Sequence, residues 1–473
     1  MKIKIAMLVM MFFLNIGFAN LIKDELIILP DHFKVENTFS GDLADNKSFH
    51  LIFAKNKKTK KFEIFSYLYS GDEVIDLGVL KNNHSYSLVS FHSNGSMLSL
   101  LLSYKIKKNN FIRRIDLNTE SKEISQSKAF THNDFETSFR KADRSILIYK
   151  SKTDLLIREF EGSEKIQEKS FNINIEGTPI KRYFQDQYIS SINTDEFVDN
   201  GSTSKLKVYL IEDDLVFTKE DQKGNQTSVL IFSLNNDNDP FRNSFSNTNA
   251  IKFKKSTSYV FDNKLYQLAI SKDKGTIKVW DIYTNRVLSE IALQESLGKY
   301  VKSKENFKGI TDYLKQAAKK KYIPTIAVNK TIAGIGLVRI DYVDITYSYN
   351  YNWWWHHHQF MMWQQQQMHF QNNMMNSVPN FGPSLSNNYI LDLYKFESDD
   401  RYFELLIDGK GSIANNDNTE TVYSDLNKEE YIDKLEDIDD FKYESSCFLK
   451  DSFRFIAYSK VRKGFVFQTN ELK

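Results

Sequence analysis

One segment of the chain gathers side chains that could bind a metal ion. Between Tyr347 and Met375 lie four of the nine histidines, five of the ten methionines and four of the five tryptophans, without any charged residue. Imidazole and thioether groups together suit Cu(I) or Cu(II), and an indole ring can cover a bound cation. The segment therefore predicts a copper site. Its ligands would be His356, His357, His358, Met361, Met362, Met368 and His369, with Trp363 beside the ion.

The same segment has two other interpretations. It shows neither the period of two of a strand nor the 3.6-residue period of a helix, so a low-complexity insertion without a ligand also fits. Tyrosine and tryptophan also suit a surface that is partly apolar and partly hydrogen-bonding. In that interpretation the partner-binding residues are Trp353, Trp354, Trp355 and Trp363.

Signatures of the common enzyme classes are missing from the sequence. The chain has no Walker loop, no His-Glu-x-x-His, no Gly-x-Ser-x-Gly and no dinucleotide-binding glycine pattern. The single cysteine, Cys447, lies between Ser446 and Phe448 in an apolar strand pattern and is interpreted as a core residue. His84 and His92 flank a predicted strand and could converge on one face, although scattered histidines rarely form a site.

Several groups of acidic residues are interpreted as charges in solvated turns. Adjacent acids on a strand point to opposite faces, which does not suit a general acid and base acting together. The pairs are Asp213-Asp214, Asp399-Asp400 and Asp439-Asp440. Asn235-x-Asp237-x-Asp239 has the oxygen spacing that opens a calcium loop, but the glycine and glutamate that complete such a loop are missing.

Residues 1–19 have the parts of a cleavable secretory signal peptide. Lys2 and Lys4 precede an apolar run over residues 5–14, and Gly17-Phe18-Ala19 places small residues before a cut at Asn20. The run is shorter than the ~20 residues that span a bilayer. We therefore expect an exported protein in the periplasm or exterior of a bacterium, with no membrane span. A single cysteine gives it no internal disulfide.

The overall charge is nearly balanced. The formal net charge is +2, from 63 basic and 61 acidic residues. This balance gives no general attraction to nucleic acid or anionic lipid, so the expected partner is a protein or another envelope component. Two local excesses stand out: residues 301–322 are rich in lysine, and residues 424–445 are rich in acids.

Most of the chain alternates apolar and polar residues with a period of two. Such runs, separated by polar turns, predict antiparallel hairpins. Asn94-Gly95 is a strong hairpin signal. Three similar hairpins turn near Asn118, Gly162 and Asn285. Two short helices are also expected, over residues 311–322 and 424–440.

The third of these hairpins resembles a known repeat. Residues 273–281, Asp-Lys-Gly-Thr-Ile-Lys-Val-Trp-Asp, resemble the closing strands of a WD40 blade. The resemblance implies an irregular all-β propeller, for which the recurring hairpins favour about six to eight blades. Tandem β-sandwiches are the alternative.

The sequence divides into a signal peptide, an N-terminal lead-in and one β-rich domain. The lead-in covers residues 20–48 and the propeller-like domain residues 49–473, with insertions at about 301–324, 347–388 and 424–445. A non-enzymatic binding or scaffold protein is the leading expectation. The alternatives are a propeller hydrolase or lyase acting on an extracellular polymer, and copper binding through the segment described first.

Overall fold

The computed structural model of the protein describes most of the chain after the predicted signal peptide. The described residues are 21–71, 73–162, 165–173, 183–184, 189–198, 201, 203–221, 226–235, 240–246, 253–294, 302–303, 309–344, 402–414, 419–423, 441–449 and 452–472. In this part of the chain the strands form seven sheets, five of four strands and two of five strands. We call these sheets blades 1 to 7.

The blades follow one another along the chain. Blades 1 and 2 contain β2 (Phe33–Leu43), β3 (Lys47–Asn56), β4 (Phe62–Ser70) and β5 (Glu73–Asn82), then β6 (Ser87–Asn94), β7 (Met97–Ile106), β8 (Asn109–Asn118), β9 (Ile124–Gln126) and β10 (Phe130–Thr131). Blades 3 and 4 contain β11 (Phe135–Arg140), β12 (Arg144–Lys150), β13 (Asp154–Glu161) and β14 (Lys165–Asn172), then β15 (Ser190–Ile192), β16 (Leu206–Ile211), β17 (Asp214–Asp221), β18 (Gln226–Ser233) and β19 (Phe241–Ser246).

The last three blades complete the set. Blades 5 and 6 contain β20 (Lys255–Phe261), β21 (Lys264–Ile270), β22 (Gly275–Asp281) and β23 (Arg286–Ala292), then β24 (Lys302–Ser303), β25 (Tyr322–Lys330), β26 (Gly336–Asp344) and β27 (Phe403–Ile407). Blade 7 contains β28 (Phe441–Phe448), β29 (Ser452–Ser459), β30 (Gly464–Glu471) and β1 (Leu21–Ile27).

The blades are arranged around one channel as a β-propeller. We label the strands of each blade A to D from the channel outwards; the A strands are β2, β6, β11, β16, β20, β25 and β28. A strands of successive blades contact one another, as β2 does with β28 and β20 with β25. Buried apolar side chains fill the spaces between neighbouring blades, for example Phe49 with Phe91 and Ile148 with Phe217. The predicted propeller is therefore confirmed, and seven blades fall within the expected range.

The N-terminal segment belongs to the propeller, which corrects the lead-in assigned to residues 20–48. β1 pairs antiparallel with β30, from Leu21 opposite Asn470 to Ile27 opposite Phe465, and so supplies the D strand of blade 7. β2 is the A strand of blade 1. The two ends of the chain are thereby held together in one sheet. Only the pairing with β30, between residues 438 to 449 positions apart, identifies β1 as a strand of this domain, because the hydrophobic pattern of a strand does not specify a distant partner.

Local chemistry explains where the hairpins turn. Gly95 has a φ of +59°, which the tight turn after Asn94 requires and which glycine adopts at little cost. The C–D turns of blades 2 and 5 begin with Asn118 and Asp281, whose side-chain oxygens accept hydrogen bonds from the backbone two and three residues later. The aspartate of the WD40-like motif therefore closes the hairpin of blade 5.

One predicted helix is present but shorter than expected. Helix α1 (Ile310–Ala317) buries Ile310, Tyr313, Leu314 and Ala317, and chain from Tyr322 onwards already belongs to β25. The Lys255 ammonium donates to the carbonyls of Ala317, Lys319 and Tyr322, so it satisfies the helix C-terminus and ends it there. The predicted helix over residues 424–440 lies outside the described residues. Among the described residues, no helix is long and apolar enough to cross a membrane.

Candidate functional site

A segment of the chain itself lies inside the ring of A strands. We call residues 189–198 and 201 the channel segment. Its strand β15 pairs in parallel with β16 of blade 4, on the channel side. Ser191 accepts a 2.8 Å hydrogen bond from Thr137 of blade 3, and the backbone of Ile189 donates to Glu136 of the same blade. The channel segment therefore joins the inner edges of blades 3 and 4.

The channel segment then crosses to blade 6. The Val198 backbone exchanges hydrogen bonds of 2.8 and 3.0 Å with the Asn329 side chain on β25. Gly201 packs so closely that a methyl group there would come within 2.1 Å of the Ile326 carbonyl oxygen. Since blade 5 separates blades 4 and 6 in the ring, a segment that touches both must pass through the channel. The interior is thus occupied by backbone from the long connection between β14 and β16.

A polar cluster lies at the end of the channel where β2 and β11 finish. The Arg140 guanidinium donates to both carboxylate oxygens of Asp42, at 3.0 and 2.9 Å, and stacks 4.4 Å from the ring centre of Phe91. Burial opposes the charged guanidinium, but the Asp42 carboxylate outweighs it and raises the pKa of Arg140, with a smaller effect from Glu196 of the channel segment. The cluster joins the A strands of blades 1 and 3 and packs against Phe91 of blade 2.

The chemistry of this cluster is that of a bound ion pair. A bidentate arginine–carboxylate pair uses the donors and acceptors that a ligand would need. The described residues around it include no hydroxyl or thiol held by a base within hydrogen-bond reach and open to solvent. Among the described residues there is also no group of three or more His, Cys, Asp or Glu that could hold a metal ion. Asp42 and Arg140 therefore form a structural ion pair between the A strands of blades 1 and 3.

A buried histidine network joins blades 7 and 1. His50 contacts Ser40 at 2.8 Å and Ser48 at 3.0 Å, and Ser40 reaches Ser445 of blade 7 at 2.8 Å. The Arg454 guanidinium donates to Ser48 at 2.9 Å. Serine beside histidine resembles part of a nucleophilic triad. In a triad the third residue is a carboxylate, whereas here the charged group beside His50 and Ser48 is the Arg454 guanidinium, and His50 is fully buried. The network is therefore a set of buried hydrogen bonds that connects blade 7 to blade 1.

Burial and the nearby Arg454 lower the pKa of His50 to about 3. The unfolded chain binds a proton at this histidine below about pH 6.5, whereas the folded chain does so only near pH 3. Between these limits the free energy of unfolding is expected to fall by about 1.4 kcal/mol for each pH unit of acidification because of this one group.

Urea unfolding of the wild type and of His50→Gln at about pH 7 and about pH 5 measures this effect. The variant, which has no group to protonate, should lose about 2 kcal/mol less than the wild type over that interval. Equal losses in both proteins would show that His50 is protonated in the folded state.

The other singled-out histidines do not converge. His92 is buried between blades 2 and 3, where it contacts Ser145 and the carbonyl of Gly162. His84 stacks on Tyr104 near the opposite end of β6. Cys447 is buried, as expected of a core residue, and burial raises the pKa of its thiol to about 12. None of these groups forms a reactive site.

Asp213 and Asp214 occupy a turn, as expected, but they are paired instead of only solvated. Asp213 forms an ion pair with Arg144 of blade 3, and Asp214 accepts a 2.7 Å hydrogen bond from Tyr283 of blade 5. Hydrogen bonding from Arg144 lowers the pKa of Asp213. These contacts link the turns of three consecutive blades at one end of the ring.

The remaining predicted site residues lie outside the described residues. These are the copper ligands His356, His357, His358, Met361, Met362, Met368 and His369, the tryptophans Trp353, Trp354, Trp355 and Trp363, the acid pairs Asp399-Asp400 and Asp439-Asp440, and Asp237 and Asp239 of the calcium-like turn. The copper and partner-binding assignments stay predictions. The channel segment was missed by sequence reasoning. Its only signal is a long interval between β14 and β16 that lacks strand-like alternation and contains Gly201 after an asparagine.

Comparison with known proteins adds little beyond the fold. No family model matches the chain, and no curated protein matches it. Solved structures that it resembles include the WD40 domain of SCAP from fission yeast, at 10% identity over 96% of this chain and 91% of that chain, with a TM-score of 0.28. TolB from Acinetobacter baumannii matches at 8% identity over 65% and 75% of the two chains, with a TM-score of 0.21.

A prolyl endopeptidase structure also matches, at 9% identity over 69% of this chain, with a TM-score of 0.25. This chain spans 48% of the length of that endopeptidase chain. TM-scores this low say nothing about activity, and the fold is defined by the order of the strands in the seven blades. By the order of its sheets and the N-terminal strand in its last blade, the described part of the chain folds as a β-propeller, and residues 273–281 resemble the closing strands of a WD40 blade.

Proposed function

We propose that this chain is an exported, non-enzymatic binding or scaffold protein that presents propeller turns to an envelope or extracellular partner. The supporting observation is the channel segment, which fills the place where a propeller enzyme would bind its substrate. The polar groups around it bind one another, so they are not aligned for attack on a substrate. What remains available for recognition is the two ring faces formed by the turns.

A retention experiment coupled to an activity screen tests this proposal. The full chain, coupled to beads, is expected to retain an envelope component of the source bacterium and to release no products from extracellular polysaccharides or peptides. Arg140→Ala at the channel mouth serves as the control, because binding through the ring faces should be unchanged in this variant. Turnover of a polymer by the wild type that is abolished in Arg140→Ala would instead establish the hydrolase or lyase alternative.

A further inference from the structure

The described residues of the turns between B and C strands carry almost only basic charge. In an antiparallel blade these turns all lie at one end, together with the connections from D strands to the next A strand; we call this end of the ring the basic face. Contacts support the grouping, since Lys57 of a B–C turn bonds to Asp31 and His32 of the preceding connection. The charged residues of the described B–C turns are Lys57, Lys58, Lys60, Lys61, Lys107, Lys108, Lys152, Lys272, Asp273, Lys274, Lys460, Arg462 and Lys463.

The opposite face has the reverse charge. Turns between A and B strands lie there. Arg144 with Asp213 joins the A–B ends of blades 3 and 4, and Tyr283 with Asp214 joins a C–D turn to an A–B turn. The charged residues of the described A–B turns are Asp45, Lys141, Asp143, Glu212, Asp213 and Asp262. A net charge of +2 thus conceals a ring with one basic and one acidic face.

The backbone of these turns shows that the lysines occupy demanding positions. Lys60, Lys107 and Lys463 have φ values of +61°, +54° and +55°. Glycine and asparagine fill this left-handed region at least cost, so a lysine there is uncommon. The corresponding strained positions on the acidic face belong to residues such as Glu212 and Asp262.

Exposed aliphatic side chains stand among the charges of the basic face. Val461 is 79% exposed at the tip of the blade 7 turn, between Lys460 and Arg462. Ile28 is 67% exposed in the neighbouring connection, where it lies beside Gly464. Ile106 is 39% exposed just before Lys107. The basic face therefore combines cations with exposed aliphatic side chains.

This combination matches the surface of an anionic bilayer. Lysine is a compact point charge that suits diffuse attraction to many phosphates, whereas bidentate recognition of single phosphates favours arginine. Aliphatic tips can enter the boundary between headgroups and acyl chains. Sequence-tolerant nucleic-acid binding relies on stacking aromatics. Among the described residues of the B–C connections only Tyr402 is aromatic, and the Arg339 guanidinium already lies 4.2 Å from its ring centre. Charge and apolar tips therefore favour a membrane over nucleic acid.

We infer that the basic face docks the propeller on an anionic membrane surface. This inference rests on the proposed binding function and names its partner. In this arrangement the lysine turns contact lipid headgroups and the acidic face points away from the membrane. Each lysine near an anionic surface contributes to the attraction, so reversal of several of these charges should weaken membrane binding strongly. Because the lysines lie in turns, these substitutions leave the strands unchanged.

Vesicle co-sedimentation of the full chain tests the inference. The probes are vesicles of phosphatidylcholine alone and of phosphatidylcholine with about 30% phosphatidylglycerol, since anionic headgroups attract lysines near the surface. The test variant is the quadruple charge reversal Lys58→Glu, Lys61→Glu, Lys108→Glu and Lys272→Glu. The matched control, with the same change in net charge on the other face, is Lys122→Glu, Arg286→Glu, Lys330→Glu and Lys410→Glu; all eight side chains are exposed.

The wild type is expected to bind the anionic vesicles, to bind phosphatidylcholine far more weakly, and to dissociate as salt rises. The test variant should lose about a hundredfold or more in affinity, and the control should stay within about threefold of wild type. Equal losses in both variants, equal binding to both vesicles, or binding to DNA or heparin without vesicles would overturn the inference. If an envelope protein is still retained on beads by the test variant, the binding function stands and only its membrane partner falls.

Discussion

Glu220→Gln is expected to destabilise the propeller by about 3–5 kcal/mol, the range for removing one partner of a buried ion pair. Glu220 of blade 4 and Lys207 on the A strand of the same blade are both buried, with Nζ and Oε1 3.4 Å apart. The glutamate also accepts hydrogen bonds of 2.6 Å from Ser258 and 3.1 Å from Thr227. The amide keeps the volume of the carboxylate but leaves the Lys207 ammonium without a counter-charge.

The free energy of unfolding in urea measures this effect, and a double variant provides the control. Lys207→Met combined with Glu220→Leu removes both charges, so it should be clearly more stable than Glu220→Gln. A loss below about 1 kcal/mol in the single variant would mean that the Lys207 ammonium does not depend on the Glu220 charge, as when water reaches the pair.

Trp280→Ala is expected to cost about 3–5 kcal/mol, the usual range for emptying a large buried aromatic site. The Trp280 ring is buried between blades 4 and 5, with its centre 5.4 Å from that of Phe245 on the D strand of blade 4. The Lys278 ammonium lies 4.8 Å from the ring centre. This packing makes Trp280 a structural residue of the interface between blades 4 and 5.

Trp280→Phe is the matched control for that prediction. The indole N–H finds no acceptor among the described residues, so phenylalanine removes an unpaired donor while it keeps most of the apolar contact. We expect it to cost about 1.5 kcal/mol or less. If alanine and phenylalanine destabilise the protein equally in urea unfolding, the pocket depends on the indole itself and not on the filled volume.

Much of the fold could be predicted from local patterns. The hairpins that turn near Asn118, Gly162 and Asn285 are strands β8–β9, β13–β14 and β22–β23. Their turn residues and period of two are local properties, so a sequence window of about ten residues is enough to recognise them. A period of two predicts one buried and one exposed face for each strand, and Val279 does not follow this pattern. It is as buried as Trp280 on the opposite side of the strand, because both faces of a blade pack against neighbouring blades.

The candidate site was less accessible to sequence reasoning. The channel segment depends on contacts between residues far apart in the chain, such as Val198 with Asn329 and Glu196 near Arg140. Asp42 and Arg140, 98 residues apart, are ordinary charged residues in their own strands. Nothing in their spacing distinguishes them, since their pairing follows from the ends of two A strands meeting at the channel.

The sequence by itself determined the repeating hairpins, the buried cysteine and the residue types in each turn, because these depend on near neighbours. The tertiary structure alone decided that the lysine turns of separate blades share one face and the acidic turns the other. The described B–C turns lie more than forty residues apart in the chain, and the whole sequence has a net charge of only +2. Ring closure orients every A strand the same way around the channel and thereby separates those charges into two opposing surfaces.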